Sequence, residues 1–253
     1  MMVKTIIGAE SWSHIGTSDV GVLVVHGFTG SPGSMRALAQ ACADAGFHVE
    51  LPQLKGHGTD VADMMPTRWS DWSADTEAAY QKLRQRCSRI IVIGLSMGGT
   101  LTLWLAARHP DIAGVVCINP LAQPLADEML SGLEALISGG VETMSSIGSD
   151  IADPSAKEIS YDSTPTAPLL SLFVDGVSDI ATKYSAITVP MLLLNSVTDH
   201  VVDPQQSDFL VERYGGKIER VMLEHSFHVA TQDYDKLIIN EKAIAFARRV
   251  TKS

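Results

Sequence analysis

A serine hydroxyl attacks an acyl carbon only when it is held exposed beside a base. Gly94-Leu95-Ser96-Met97-Gly98 has the spacing to hold one that way. The pentapeptide follows an apolar run at 90–93 and precedes 100–108, a stretch of helix formers that ends before Pro110. A strand, a sharp turn and a helix are therefore expected to meet at Ser96. Glycine at 94 and 98 leaves the room such a turn needs, because a Cβ at either position would stand between strand and helix. The chemistry this pattern predicts is nucleophilic catalysis through an acyl-enzyme.

The serine needs a general base, and the base needs an orienting carboxylate. In strand–turn–helix sites of this kind the acid follows a late strand and the histidine comes near the C-terminus. Asp199 stands one short turn (Asn195-Ser196-Val197-Thr198) after an apolar strand pattern. Asp203 is the competing acid, but Pro204 beside it reads as a helix start with Asp203 as its N-cap, so Asp199 is preferred. Of eight histidines only His225 and His228 lie beyond the last strand pattern. His228, at the helix-side end of that loop, is preferred as base, and His225 is assigned a local packing or hydrogen-bonding role. The ring of His200 diverges from its neighbour Asp199, and His14, His48 and His109 carry no partner pattern. The oxyanion of the tetrahedral intermediate calls for two N–H donors. The backbone N–H of Met97 supplies one, and that of Phe28, in the loop His26-Gly27-Phe28-Thr29-Gly30, supplies the other. No histidine spacing fits a metal site, and the reaction requires neither metal nor cofactor.

The elements that must position these groups alternate along the chain. Strand-like segments at 20–25, 47–51, 90–93, 113–118, 189–194 and 218–223 are interleaved with helix-like ones at 34–45, 69–86 and 234–250. That rhythm predicts a mostly parallel central sheet flanked by helices, an α/β fold. Between about 120 and 188 the rhythm breaks into helical patches at 127–137 and 169–180, joined by polar, Pro- and Ser-rich links. A structureless loop of that length does not fit a compact domain, so residues 1–253 are expected to form one domain carrying an inserted helical cap.

Composition removes several function classes. The 253-residue chain is 45% hydrophobic and 19% charged with a net charge of −10, and it has no Lys/Arg cluster, so nucleic acid is not an expected partner. Cys42, Cys87 and Cys117 are odd in number, far apart and set in apolar stretches, which argues for core packing rather than disulfides. No leader-like apolar core or 18-residue apolar run is present. The expectation is a cytoplasmic protein without stable membrane insertion, in transient contact with lipid surfaces at most, through the cap. No pattern sets an oligomeric state.

VVHGFTG, LKGHGT, GLSMGG, the stretch Asp199-His200-Val201-Val202 and SFHVAT together resemble the α/β-hydrolase fold. The nearer resemblance is to bacterial monoacylglycerol lipases and their carboxylesterase relatives, from Val22 to the final helix. It implies a triad of Ser96, Asp199 and His228 with Phe28 and Met97 as oxyanion donors. In the cap, the segments 146–150 (SIGSD), 157–161 (KEISY) and 164–166 (TPT) look like those of the same group. The resemblance implies that Glu158 meets glycerol hydroxyls and that Ile147 shapes the pocket. A carboxylate accepts hydrogen bonds from two free hydroxyls, which a simple alkyl ester lacks. By residue type alone Glu158 is a solvated carboxylate and Ile147 a packed side chain. Met129, Leu130, Leu133, Leu136, Ile137, Leu169, Leu170, Leu172 and Phe173 either wall an acyl tunnel or form the cap's own core. The implied substrate is a small lipid ester, a monoacylglycerol cleaved to glycerol and fatty acid. The alternatives are a broad carboxylesterase of short-chain esters and a non-catalytic binding protein of hydrolase fold.

Overall fold

The computed structural model describes residues 4–252. In chain order the first half contains β1 (Trp12–His14), β2 (Val20–Val25), α1 (Arg36–Asp44), β3 (His48–Leu51), α2 (Val61–Met64), α3 (Trp69–Arg84) and β4 (Arg89–Leu95). It continues with α4 (Met97–Arg108), β5 (Gly114–Ile118), α5 (Asp127–Ser138), β6 (Thr143–Ser145), β7 (Ser163–Pro165), α6 (Thr166–Ser171) and α7 (Asp179–Ala181). The last elements are β8 (Met191–Ser196), α8 (Gln205–Arg213), β9 (Ile218–Leu223) and α9 (Lys236–Val250).

Seven strands form one sheet in the order β1-β3-β2-β4-β5-β8-β9, and only β1 runs antiparallel to its neighbour. β2, β5 and β8 are buried along their whole length, as expected of β-branched and aliphatic runs covered on both faces. Alternate residues serve opposite cores: Leu23, Val25 and Val92 face α3, α4 and α8, while Val22, Val24 and Ile93 face α1 and α9. The register keeps the carboxyl ends level, pairing Val25 with Gly94, Leu95 with Ile118, Ile118 with Leu194 and Ser196 with Leu223. The loops that follow β2, β4, β5, β8 and β9 therefore emerge along one edge. β3 lies on one side of β2 and β4 on the other, so the crevice where the strand order reverses opens between the loops holding Phe28 and Ser96.

Some boundaries differ from the sequence pattern for identifiable reasons. The last helix starts at Lys236 rather than 234, because Asp233 and Asp235 turn their carboxylates onto N–H groups of the preceding loop. β1 and the ribbon of exposed β6 and largely buried β7 are three residues per strand, too short to show alternation. Between β5 and β8 the chain forms α5, the ribbon, and a continuous helical stretch from α6 through Leu172–Ser178, wound with wider π-type turns, to α7. Tyr161 ties this insertion to the body: its hydroxyl accepts from Thr59 N–H (3.1 Å) and donates to the Gly56 carbonyl (2.6 Å). Among the described residues no helix is long and apolar enough to cross a membrane, and the three cysteines are buried and free.

Candidate active site

Ser96 joins β4 to α4 with φ 55° and ψ −120°, a conformation costing roughly 1–3 kcal/mol that persists only where the surroundings fix it. The fixing bonds are main-chain ones. Ser96 N–H donates to the Ile118 carbonyl (3.0 Å), and its own carbonyl accepts from Gly99 (2.8 Å) and Thr100 (3.2 Å). A Cβ on Gly94 would overlap the Gly98 carbonyl, and one on Gly98 would overlap the Val25 carbonyl. Strand and helix touch backbone to backbone here, as the pentapeptide predicts. Met97 is the first residue of α4, where N–H groups have no carbonyl of their own helix to meet.

The loop after β2 is built on two buried histidines. His26 Nε2 accepts from Leu54 N–H (3.2 Å), so the proton is on Nδ1, which donates to the Gly27 carbonyl (2.9 Å). Burial pushes the His26 pKa down to about 4, and burial with His26 nearby holds His57 well below its ordinary value. Both are neutral. The Phe28 ring stands edge-on to Trp72 at 5.5 Å and to His57 at 6.2 Å, which pins the loop beside Ser96.

His228 and Asp199 meet, with side chains 6% and 2% exposed. Nδ1 of the ring lies 2.8 Å from Asp199 Oδ2, and a carboxylate only accepts, so Nδ1 carries the proton and Nε2 is left as the basic nitrogen. Asp199 Oδ1 is held by the N–H groups of Val201 (2.9 Å) and Val202 (2.8 Å). Asp203 caps α8 by accepting from Gln205 N–H (2.9 Å), the His225 backbone is held by Asp235, and the His200 ring turns to Asp150 (2.9 Å). Ser96 Oγ makes no hydrogen bond among the described residues. It shares one small cavity with Gly27, Phe28, Ile147, Glu158 and His228. Ser96, a histidine with a free basic nitrogen and the Phe28 loop thus border one space, the set of groups that acyl transfer calls for.

The model of the family described as serine aminopeptidase, S33 matches residues 17–235. The chain belongs to this family of α/β-hydrolases. It is 46% identical to the thermostable monoacylglycerol lipase of Bacillus sp. (strain H-257), over 94% of each chain, and 24% identical to a carboxylesterase of Bacillus subtilis (strain 168), over 92% of this chain and 94% of that one. Among solved structures, one from work on LipS and LipT, two metagenome-derived lipolytic enzymes, superposes with a TM-score of 0.91 at 39% identity, covering 97% of this chain and 100% of that one.

On this α/β-hydrolase the insertion brings two more of the expected residues to Ser96. Glu158 is 7% exposed, its Oε2 accepts from Ser149 N–H (2.8 Å), and burial raises its pKa against that bond and the nearby His228. A Cβ on Gly30 would lie 2.7 Å from Glu158 Oε1, so the missing side chain at 30 is what lets the carboxylate settle against the loop. Ile147 lines the same cavity and an adjoining apolar one of about 150 Å³ that also contains Leu169, Leu172 and Phe173. Beyond Leu169 and Phe173 lies a further apolar space of about 320 Å³ lined by Met129, Leu133 and Leu136. Ile137 and Leu170 line a separate groove beside Arg68, and Leu130 lines none of these spaces.

Three polar residues at the site were not among those expected from the sequence. Asn119 (φ 42°) donates to the His228 carbonyl (2.8 Å) and to Ser196 Oγ (3.0 Å), locking the histidine loop to β5 and β8. Asp233 is fully buried and accepts from four N–H groups, those of Ala152, Asp153, Phe227 and Tyr234. Asp150 is the third. A polar residue directly after a fully apolar strand, as at Asn119, is the one signal that could have found any of them. Among the described residues no three His, Cys, Asp or Glu side chains are gathered as a metal site.

Proposed function

We propose that the protein hydrolyses monoacylglycerols to glycerol and fatty acid, with residues 120–188 acting as a cap within one domain. The observation that carries this reading is the placement of a buried carboxylate, Glu158, in the same cavity as Ser96 and His228, with an apolar channel leading away on the other side. Such a site suits a substrate with two free hydroxyls at one end of its ester and a hydrocarbon chain at the other. The 46% identity to a monoacylglycerol lipase supports it. The family description names a peptidase, whereas the nearer relatives are named as a lipase and a carboxylesterase.

In this mechanism a serine–histidine hydrogen bond forms as substrate enters, and His228 Nε2 takes the Ser96 proton as Oγ adds to the ester carbonyl. The N–H groups of Phe28 and Met97 hold the oxyanion. Collapse breaks the bond to the glycerol oxygen, which leaves with the proton from His228. Water, deprotonated by the same ring, adds to the acyl-enzyme, and a second collapse frees the fatty acid and restores Ser96. Asp199 keeps Nδ1 protonated and stabilises the imidazolium formed in each half. Glu158 accepts from the glycerol hydroxyls, Ile147 narrows the passage to the chain, and exposed Met129, Leu136 and Met144 meet the lipid surface that supplies substrate. The test is turnover of mono-, di- and triacylglycerols and short alkyl esters, with Ser96→Ala as the blank. Preference for the monoacyl substrate is expected; equal turnover of alkyl esters would replace this reading with a broad carboxylesterase.

A further inference from the structure

Asp150 lies in the insertion, between the strands of the ribbon, 78 residues before His228 and 50 before His200. Its Oδ2 accepts from the backbone N–H of His228 (3.1 Å) and of His200 (3.1 Å), its Oδ1 accepts from His200 Nδ1 (2.9 Å), and its carbonyl accepts from Val229 N–H (3.0 Å). One residue thus holds two consecutive N–H groups of the histidine loop and the residue next to Asp199. The N–H before them, on Phe227, goes to Asp233, which also holds Ala152 and Asp153 of the same insertion stretch. Every N–H from 227 to 229 is therefore satisfied by the insertion or by the aspartate that anchors it. Three donors converge on the Asp150 carboxylate, and no neutral side chain of that length offers acceptors on both arms. The side chain is 16% exposed, and Asp150 is absent from the walls of the Ser96 cavity.

We propose that Asp150 is a positioning residue for hydrolysis, a carboxylate of the insertion that sets the His228 loop against the Asp199–His200 turn. The proposal rests on reading Ser96, Asp199 and His228 as the catalytic set. Its consequence is that the insertion belongs to the machinery of the reaction as well as to substrate choice. Displacing a catalytic ring by about 1 Å costs on the order of 10²-fold in rate without altering how substrate is held.

The experiment compares wild type with Asp150→Ala and Asp150→Asn, measuring kcat and KM on a soluble monoacylglycerol, the thermal midpoint, and the downfield proton resonance of the His228–Asp199 pair. Asp153→Ala, which removes only a local contact to Ser155, serves as control. Asp150→Ala is expected to lose about 10²-fold in kcat with KM within threefold, and to shift or broaden the resonance. Asp150→Asn keeps one acceptor oxygen for the two backbone donors and should recover to within about tenfold of wild type. A folded Asp150→Ala with kcat within threefold of wild type, or with its loss confined to KM, overturns the proposal. If Asp150→Ala does not fold, Asp150→Asn decides. A kcat loss of more than twofold with a shifted resonance supports the proposal, and wild-type kcat or an unshifted resonance overturns it. His228→Ala is run alongside: turnover in that variant sinks the catalytic reading itself, whereas an inactive His228→Ala beside a fully active Asp150→Ala sinks only the role of Asp150.

Discussion

Helices α4 and α5 are both twelve residues long, one leaving the Ser96 turn and the other lining the outer apolar space, yet α4 buries nine of its residues and α5 only Leu133. α4 starts from the Ser96 turn, is clamped by backbone contact at Gly94 and Gly98, and runs through the larger core. α5 rests on α6 with Met129 and Leu136 turned outward. The difference matches what each must do. Atoms that react have to be fixed to a fraction of an ångström, and burial does that. A wall proposed to meet chains of different length and a lipid surface suits the less stable end of the molecule. The carboxylates of the insertion stand between these regimes, since Glu158 and Asp150 are held by main-chain N–H groups rather than by apolar packing.

That contrast is breakable, beginning with the largest effect. Ser96→Ala is expected to lower kcat by up to about 10⁶-fold while leaving the thermal midpoint close to wild type, read by single-turnover assay and calorimetry. Gly94→Ala attacks the rigid side sterically and should destabilise the fold by about 3 kcal/mol or more, seen in urea denaturation. On the insertion side, Glu158→Ala should lower kcat/KM for monoacylglycerol about 10- to 100-fold and for an alkyl ester less than threefold. An equal loss on both substrates would place Glu158 with the reacting atoms instead.

Acid separates the two regions next. His26 titrates at about 4 in the fold and near 6.5 unfolded, so its contribution is present above pH 6.5 and is lost as pH falls toward 4. Buried neutral His57 acts in the same direction. Through His26 stability should fall by about 1.4 kcal/mol per pH unit across that window, His57 should steepen the fall, and His57→Gln should flatten the slope. Glu158 has the opposite sign. Its pKa is raised, so its favourable contribution is present below about 4.5 and lost as pH rises through the higher folded value. Glu158→Gln is therefore expected to raise the thermal midpoint at pH 8 while weakening monoacylglycerol turnover. The smallest effect belongs to Met129→Ser, 64% exposed on α5, which should change stability by less than about 0.5 kcal/mol and shift KM only for the longest acyl chains.

What was legible in the sequence follows the same division. The Ser96 turn and the Phe28 loop are local steric problems, and glycine at fixed offsets is their local solution, so a short window is enough to find them. Asp199 and His228 were placed by the strands before them, whose apolar runs mark the carboxyl edge of the sheet. Asp150 and Asp233 work across gaps of 78 to 81 residues, and nothing adjacent to them distinguishes a buried clamp from a surface acid. The ribbon β6–β7 escaped because its strands are only three residues long, too short to leave an alternation. The nine apolar residues of the insertion share one helical periodicity but not one role, which is how Ile137 and Leu170 came to face another groove.

Gly30 gives one more consequence. Because the space a methyl group would fill is taken by the Glu158 carboxylate, adding that methyl pushes on Glu158, the proposed polyol end of the site, and leaves the serine turn untouched. Under the proposed role of Glu158, Gly30→Ala is thus expected to separate two enzymes of identical chemistry: one that reads the alcohol it releases, and one indifferent to it.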